Sequence, residues 1–375
     1  MLMRECELIF AVTEDCNLAC DYCYIKQKPK VMKKDTIDYV YNNKKIFFDK
    51  YNTDKYRATY FGGEPMMNWD LLEYAMPKFA SDPECFAQLL VTNGLLLNEK
   101  NIEFLTGIRD LYVTISFDGL WNETNRPLCS GKSSLDLYMK NKDIINSVAE
   151  HTRVMVQPNC LDTLTENFVF LTEEYGQANC QWWLVRDDIW KPEDIEKYSE
   201  ELTRLTDKNI QYYEDGVDAL CGLLLNPIID QYTANKFGKR KYSCISGCHG
   251  LSFSTGKYAY PCTRFVTNDR YPIFDMEKSK FIDENFDIFS ITNKGCTPDG
   301  TEECKRCSIY ESCNRGCKHE ELVEEDGKVS FKPLESVCKL YHIGYRESNR
   351  LLEALKDNEL FKSRINTIVK RKMLV

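Results

Sequence analysis

The run Glu14-Asp15-Cys16-Asn17-Leu18-Ala19-Cys20-Asp21-Tyr22-Cys23-Tyr24 decides how the rest of the chain is read. Three thiolates in one short loop can hold three irons of a cubic 4Fe–4S cluster, and the fourth iron then has no protein ligand. An open coordination position is where a metal site does chemistry. The alternative is a structural zinc loop. Such loops usually pair two CxxC hairpins of like spacing, and Cys16 to Cys23 offers three ligands with no evident local fourth.

Outward from the loop, strand-type and helix-type stretches alternate. Leu8 to Thr13 is a short apolar run, and Asp35 to Phe48 has helical composition. The sequence then predicts a strand at Arg57 to Phe61 and a helix at Asp70 to Phe79. The next pairs are Gln88 to Val91 with Glu99 to Leu105, and Leu111 to Phe117 with Leu135 to Val148. The last are Arg153 to Gln157 with Leu164 to Tyr175, and Gln181 to Val185 with Pro192 to Tyr213. Six such alternations argue for an α/β fold, a parallel sheet with helices outside.

The distinctive polar residues fall just after strands. Gly62-Gly63-Glu64 follows the second, Thr92-Asn93-Gly94 the third, and Ser116-Phe117-Asp118-Gly119 the fourth. In barrels built of such units, chemistry sits at the C-terminal ends of the strands. Taken singly, Gly62-Gly63 reads as a tight turn and Asp118-Gly119 as a hairpin turn. With the Cys16 loop after the first strand, these make four polar motifs on one rim, which are hard to explain by packing.

This combination resembles the radical S-adenosylmethionine (SAM) superfamily. The resemblance rests on the three-Cys loop after a strand, the aromatic Tyr22 ahead of the third Cys, and Gly62-Gly63-Glu64. It implies a partial (β/α)6 TIM-like barrel with the cluster at its rim. It implies that the SAM methionine chelates the open iron. SAM is then reductively cleaved to a 5′-deoxyadenosyl radical that removes hydrogen from an unactivated carbon. It assigns Glu64 to the methionine ammonium, while Gly62 and Gly63, lacking Cβ, let the backbone approach a ligand. Ser116 and Arg126 match positions that serve the carboxylate and ribose. Tyr22 is placed beside the adenine, with Asn93 and Asp118 as rim neighbours.

A second cysteine field lies near the C-terminus. Cys304, Cys307, Cys313 and Cys317 form a CxxC-x5-C-x3-C array, with Cys244, Cys248 and Cys262 upstream and Cys338 downstream. Thiolate sets suit zinc as well as iron–sulfur. Two fully ligated clusters need eight thiolates, and these are eight. The array resembles the SPASM extension of radical SAM peptide-modifying enzymes. That resemblance gives auxiliary cluster I to Cys244, Cys248, Cys262 and Cys317, and cluster II to Cys304, Cys307, Cys313 and Cys338. Three 4Fe–4S clusters are then expected in all. Five residues separate Gly256 from Cys262 where the family usually has four, which reads as a one-residue bulge. The other cysteines, Cys6, Cys85, Cys129, Cys160, Cys180, Cys221 and Cys296, read as small buried hydrophobes.

The expected organisation is a barrel over residues 1–215 and a linker over 216–240, the latter running into the basic stretch Lys236 to Lys241. A SPASM domain over 241–340 and a helical end over 341–375, packed on the cluster domain, complete it. At 375 residues and 43% hydrophobic there is material for two to three modules. No charged-then-apolar leader and no apolar run of membrane length is present. Eighteen cysteines without a leader point to a reducing cytoplasm. A net charge of −9 argues against a nucleic-acid partner. Four histidines give little support to a His-based site.

The resemblance implies an enzyme acting on a ribosomally made peptide or a protein. An oxidative intramolecular cross-link, thioether or carbon–carbon, is the leading expectation. A reductant such as flavodoxin or ferredoxin would feed it, and a separate leader-binding protein is an open partner. Formylglycine formation on a sulfatase, small-molecule dehydrogenation, and a non-enzymatic zinc or electron-transfer scaffold are the alternatives. Sulfatase-maturing relatives typically have an Asp after the Cys of the Gly-x4-Cys element. Here Thr263 and Arg264 follow Cys262, which weighs against formylglycine chemistry. Trp182, Trp183 and Trp190 are candidates for a peptide platform, with buried core the competing reading for Trp182 or Trp183.

Overall fold

Phe10 shows how the first strand is committed to the core. It is fully buried, with its ring 5.3 Å from Phe79, 6.0 Å from Tyr60 and 5.5 Å from Phe253. The structure, a computed structural model, describes residues 5–177, 180–237, 244, 246–289, 302–313 and 316–374. Cys296, the basic stretch beyond Phe237 and the expected domain start at residue 241 lie outside the described residues. The chain forms two compact units.

The first unit comprises residues 1–117, 122–151 and 245–296. Four parallel strands build it: β1 (Glu5–Thr13), β2 (Lys55–Gly62), β3 (Cys85–Thr92) and β4 (Leu111–Ser116), paired in that order. Helices fill the crossovers, as parallel pairing requires. Helix Lys34–Tyr51 buries Ile37, Val40, Phe47, Phe48 and Tyr51, an amphipathic spacing, and Asn52 ends it in the left-handed region at φ 52°. Helix Trp69–Ala80 buries Leu71, Leu72, Ala75, Met76 and Phe79. Each such side chain contributes about 1.5–3 kcal/mol of burial.

The helix expected over Leu135 to Val148 is two, Leu135–Lys140 and Lys142–Val148, broken at Asn141. Asn has weak helix propensity and competes for its own backbone.

The first unit departs from the expected domain plan on the far side of β1. Strands β5 (His151–Val156) and β6 (Gln181–Leu184) intervene in sequence, and then β7 (Gly250–Phe253) pairs parallel with β1, with Phe10 opposite Phe253. Antiparallel β8 (Tyr258–Tyr260), β9 (Phe274–Asp275) and β10 (Lys280–Phe281) extend the sheet from there. Phe47, Phe274 and Phe281 lock this extension edge-to-face, with centroids 5.0–6.3 Å apart. Cys248 and Cys262 of the expected SPASM segment are therefore carried by the unit that holds the Cys16 loop, and Cys244 by the other.

The second unit comprises residues 118–121, 152–244 and 297–375. In it β5 pairs parallel with β6, Val154 opposite Trp182. Thr152, Val154, Val156 and Trp182 are buried on one face. There Trp182 meets Trp121 and Phe168 edge-on. Arg153, Met155, Gln181 and Trp183 take the other face, because side chains alternate along a strand. The helix begun at Leu164–Val169 widens into a π turn over Phe170–Glu174, which Tyr175 closes by donating its N–H to the Phe170 carbonyl at 2.9 Å.

Residues 216–240, expected as a linker, hold helix Gly222–Phe237, which buries Leu223, Leu224, Ile228 and Ile229. The chain end is a helix pair, Glu335–Ala354 and Glu359–Leu374. The first packs on helices Pro192–Glu214 and Gly222–Phe237 rather than on cysteine segments alone. Ser348 donates to the Leu224 carbonyl at 2.8 Å, and buried Glu347 pairs with Arg346 and Arg350. Strands β11 (Leu322–Glu325) and β12 (Lys328–Phe331) form a separate hairpin.

The alternation in β6 gives a test of the face assignment. Trp182→Ala is expected to cost about 3–5 kcal/mol by cavity formation. Trp183→Ala, at an exposed position, is expected to stay within about 0.5 kcal/mol. Urea midpoints of the two variants measure this, and equal losses would refute the assignment.

Candidate cluster and SAM site

Gly62 and Gly63 bring the second strand end against the cysteine loop. Gly63 donates its N–H to the Thr13 carbonyl and Glu64 its N–H to the Asp15 carbonyl, both at 2.8 Å. Gly62 adopts φ +146°, and a Cβ there would run into the Thr13 carbonyl oxygen. A Cβ at Gly63 would be driven into the Asp15 carbonyl oxygen. The close approach that glycine permits is thus made first to the chain's own loop, one residue before Cys16.

A second segment clamps the loop from the other side. Asp21 N–H bonds the Asn125 carbonyl at 2.9 Å, Ala19 N–H the Pro127 carbonyl at 2.8 Å, and Cys129 N–H the Asn17 carbonyl at 3.2 Å. Arg126, 6% exposed, lies with Nη1 3.9 Å from Cys20 Sγ and its guanidinium carbon 5.3 Å from the Tyr22 ring centre. Arg126 therefore touches the cluster loop itself, beyond the SAM contact expected from sequence. The Cys129 thiol donates to the Cys16 carbonyl at 3.3 Å and is exposed. It is an exception among the unassigned cysteines. Cys6, Cys85, Cys160, Cys180 and Cys221 are buried as expected.

The three thiols share one electrostatic neighbourhood. Burial pushes Cys16 up to about 12, and the charges of Glu64, Cys20 and Cys23 push the same way. Metal must displace these protons, so loading iron is the step that converts the set to thiolates. Asn93 joins the loop to Glu64: its Nδ2 donates to Asn17 Oδ1 at 2.7 Å and lies 4.0 Å from Cys16 Sγ.

Glu64 is 1% exposed. Its carboxylate accepts from Asn93 N–H at 2.7 Å, Met66 N–H at 2.9 Å and Thr92 Oγ1 at 2.6 Å. Burial raises its pKa, while those three donors pull it down. Among the described residues no cation pairs with it. A buried carboxylate held by neutral donors alone fits an incoming ammonium. The residues present therefore suit a cluster on Cys16, Cys20 and Cys23 with the SAM methionine beside it.

The other rim residues divide. Tyr138 ties the ends of β3 and β4 by donating to the Asn93 carbonyl at 2.6 Å and the Ser116 carbonyl at 3.1 Å, which fixes Ser116. Asp118 is fully buried in the second unit. Its carboxylate accepts the Met155 N–H at 2.8 Å, so it anchors β5. Its motif reads as a rim signal in sequence because it follows a strand.

In the second unit Cys338 feels the charges of Cys313, Cys304 and Cys307, and burial pushes it up to about 12. These are the four cysteines expected together. His342 adds a contact that sequence reasoning missed: its Nε2 lies 3.2 Å from Cys307 Sγ. The signal was available, since Cys338 and His342 are four apart on one helix and share a face. Of the other set, Cys248 is buried and disulfide-bonded, whereas Cys244, Cys262 and Cys317 are half-buried. Among the described residues no three His, Cys, Asp or Glu side chains converge on one point. A cubic cluster seats each thiolate on a different iron and does not ask for that convergence.

Residues 10–158 match the Radical SAM superfamily profile, and the chain carries a radical SAM domain. A curated relative, the radical SAM cyclopropyl synthase TigE of Paramaledivibacter caminithermalis, is 27% identical over 151 residues, 36% of this chain and 31% of TigE. An uncharacterized protein of Methanocaldococcus jannaschii is 34% identical over 149 residues, 37% of this chain and 48% of that protein. The chain thus spans less than half the length of these relatives.

Among solved structures, native anSMEcpe with bound AdoMet and Cp18Cys peptide superposes with a TM-score of 0.71 at 19% identity, covering 94% of this chain and 99% of that one. SuiB of Streptococcus suis bound to its precursor peptide SuiA gives a TM-score of 0.53 at 15% identity, covering 85% and 73%. The fold is a partial (β/α)6 barrel with a cysteine-rich C-terminal region. No described helix is long and apolar enough to cross a membrane.

The glycine contacts predict a selective defect. Gly63→Ala should displace the Asp15 carbonyl and lower iron content by about four atoms, one cluster's worth. Gly256→Ala is the control, since its nearest neighbour to a new Cβ is Ser254 Oγ at 3.6 Å. Iron analysis of anaerobically reconstituted protein reads the difference. Full iron in Gly63→Ala would show that the loop tolerates the clash.

Proposed function

We propose that the chain is a radical SAM peptide maturase that makes an oxidative intramolecular cross-link. The observation that carries this is the continuous path from Glu64 through Asn93 to the Cys16 loop, which sets an ammonium site beside a three-thiol site. When bound, the cluster and SAM supply an electron and a 5′-deoxyadenosyl fragment that accepts a hydrogen atom. Gly62 and Gly63 hold the loop, Glu64 orients the methionine amine, and Arg126 faces the loop at Cys20 and Tyr22. The likeness to SuiB and TigE supports a peptide substrate and bond-forming chemistry.

Cross-linking removes two hydrogens from the peptide. One leaves as an atom. The second leaves as a proton and an electron, and that electron needs an acceptor. The Cys304, Cys307, Cys313 and Cys338 group supports an auxiliary 4Fe–4S cluster in that role. The spacing of Cys244, Cys248, Cys262 and Cys317 in the sequence is what supports a second auxiliary cluster. A flavodoxin- or ferredoxin-type reductant would feed the Cys16 site.

Formylglycine formation is the second reading, favoured by the likeness to anSMEcpe. Thr263 weighs against it. Its Oγ1 lies 2.8 Å from the Tyr24 hydroxyl. Burial pushes Tyr24 well above its ordinary pKa. Neither hydroxyl is a base near neutral pH, and a positioned base commonly contributes about 10²–10⁴-fold. A sulfatase-type peptide should therefore yield little or no aldehyde, and the cognate peptide a mass loss of two hydrogens. Anaerobic mass spectrometry of both peptides decides this, and efficient aldehyde formation would promote the second reading.

Two substitutions test the SAM site apart from the substrate. Glu64→Gln keeps the shape and removes the charge, so SAM affinity should fall by on the order of 1.5–3 kcal/mol with iron content kept. Arg126→Ala should lower both, because Arg126 lies on Cys20. SAM binding by equilibrium dialysis, alongside iron analysis, is the measurement. Unchanged affinity in Glu64→Gln would remove Glu64 from the ammonium site.

A further inference from the structure

The open face of β5 and β6 carries a group of side chains that the radical site does not use. Arg153 and Trp183 stand on the face opposite the buried Trp182, and the Arg153 guanidinium carbon lies 5.9 Å from the Trp183 ring centre. Arg186, two residues past the end of β6, lies 5.4 Å from the same ring and 5.8 Å from the Tyr341 ring. Trp183 is 37% exposed, whereas Trp182 and Trp190 are buried at 1% and 5%. Of the three tryptophans expected as a platform, Trp183 alone faces outward.

The chemistry of this group is specific. Among the described residues no carboxylate lies within ion-pair distance of Arg186, whose guanidinium is held by two rings instead. Ring contacts do not consume the planar N–H edge, which binds a carboxylate as a fork. A half-buried cation without a contact counter-ion gains by taking an anion. An exposed Trp beside Arg is also the composition of binding hot spots. Trp183 and Arg186 sit at the C-terminal end of β6, the end where barrels of this kind place their substrates, while Arg153 pairs with Gln181 at its start.

We propose that Arg153, Trp183, Arg186 and Tyr341 form a docking platform for an acidic side chain of the substrate peptide. This rests on the peptide reading above. The aromatic rings receive the apolar stem of the Glu or Asp residue and its neighbours. The Arg186 fork receives the carboxylate, and Arg153 adds a second positive charge. The platform selects peptides that carry an acidic residue.

The test uses reconstituted protein with SAM, kept anaerobic. The probes are fluorescein-labelled Gly-Ala-Glu-Gly-Glu-Ala-Gly and its counterpart with Gln in place of Glu, read by anisotropy. The acidic peptide should bind about tenfold tighter than the amide peptide, as a charge-assisted contact implies. That gap should narrow with salt. Arg186→Gln should close most of it, and Arg186→Lys should keep part, having the charge without the fork. Trp183→Ala should weaken both peptides alike. Iron content and circular dichroism establish that each variant is folded, and Arg186→Lys serves if Arg186→Gln is not.

Equal binding of the two peptides by the native protein overturns the platform. So does a gap undiminished in a folded Arg186→Gln. The maturase reading fails separately, by absence of 5′-deoxyadenosine or of a two-hydrogen mass loss.

Discussion

The two hydrogen bonds from Gly63 and Glu64 to the carbonyls of Thr13 and Asp15 are the constraint on which the site depends. They set the end of β2 directly under the loop that carries Cys16, at a separation no side chain at 62 or 63 would permit. The same backbone turn places Glu64 where β3 can supply Thr92 and Asn93 as donors. Asn93 then reaches back to Asn17 in the loop. Loop, glycine floor and carboxylate form one closed circuit of hydrogen bonds, so displacing one member disturbs the other two.

That circuit stores charge in an apolar place. Burial works against ionised Glu64 and against the Cys16 thiolate alike, and the Glu64 charge raises Cys16 further. Such an arrangement is poorly satisfied by protein alone. A metal cluster held by the three thiols and an ammonium at Glu64 would relieve it. The three neutral donors on Glu64 keep the carboxylate oriented meanwhile, without supplying the positive charge that the ligand brings. This is preorganisation in an electrostatic sense, since the donors are in place before a ligand arrives.

Much of this was legible in the sequence. The loop, Gly62-Gly63-Glu64 and the six strand–helix alternations follow from short-range pattern, and the strands fall within a few residues of expectation. What was not legible depends on long-range pairing. Gly250 to Phe253 is only four residues long. Nothing local marks it as the partner of β1. The Asn125 to Cys129 clamp is equally silent, because its bonds to the loop are made by backbone atoms that any sequence offers. Asp118 shows a role that sequence does not reveal: a polar residue after a strand can serve the rim or the next strand, and its carboxylate holds the Met155 N–H.

Tyr24 shows how far the replacement of one acidic residue propagates. It follows Cys23 directly, stacks on Phe61 at 6.4 Å, and has Arg264 4.7 Å above its ring. With Thr263 at the end of its hydroxyl, it joins the cluster loop to the helix that begins after Cys262. An acid at 263 would be ionised beside Arg264 and could draw a proton from a substrate. Threonine leaves a neutral hydroxyl pair whose one strong property is its geometry. The contact therefore fixes the loop after Cys23 in place, tying Tyr24 to the start of the helix that follows Cys262.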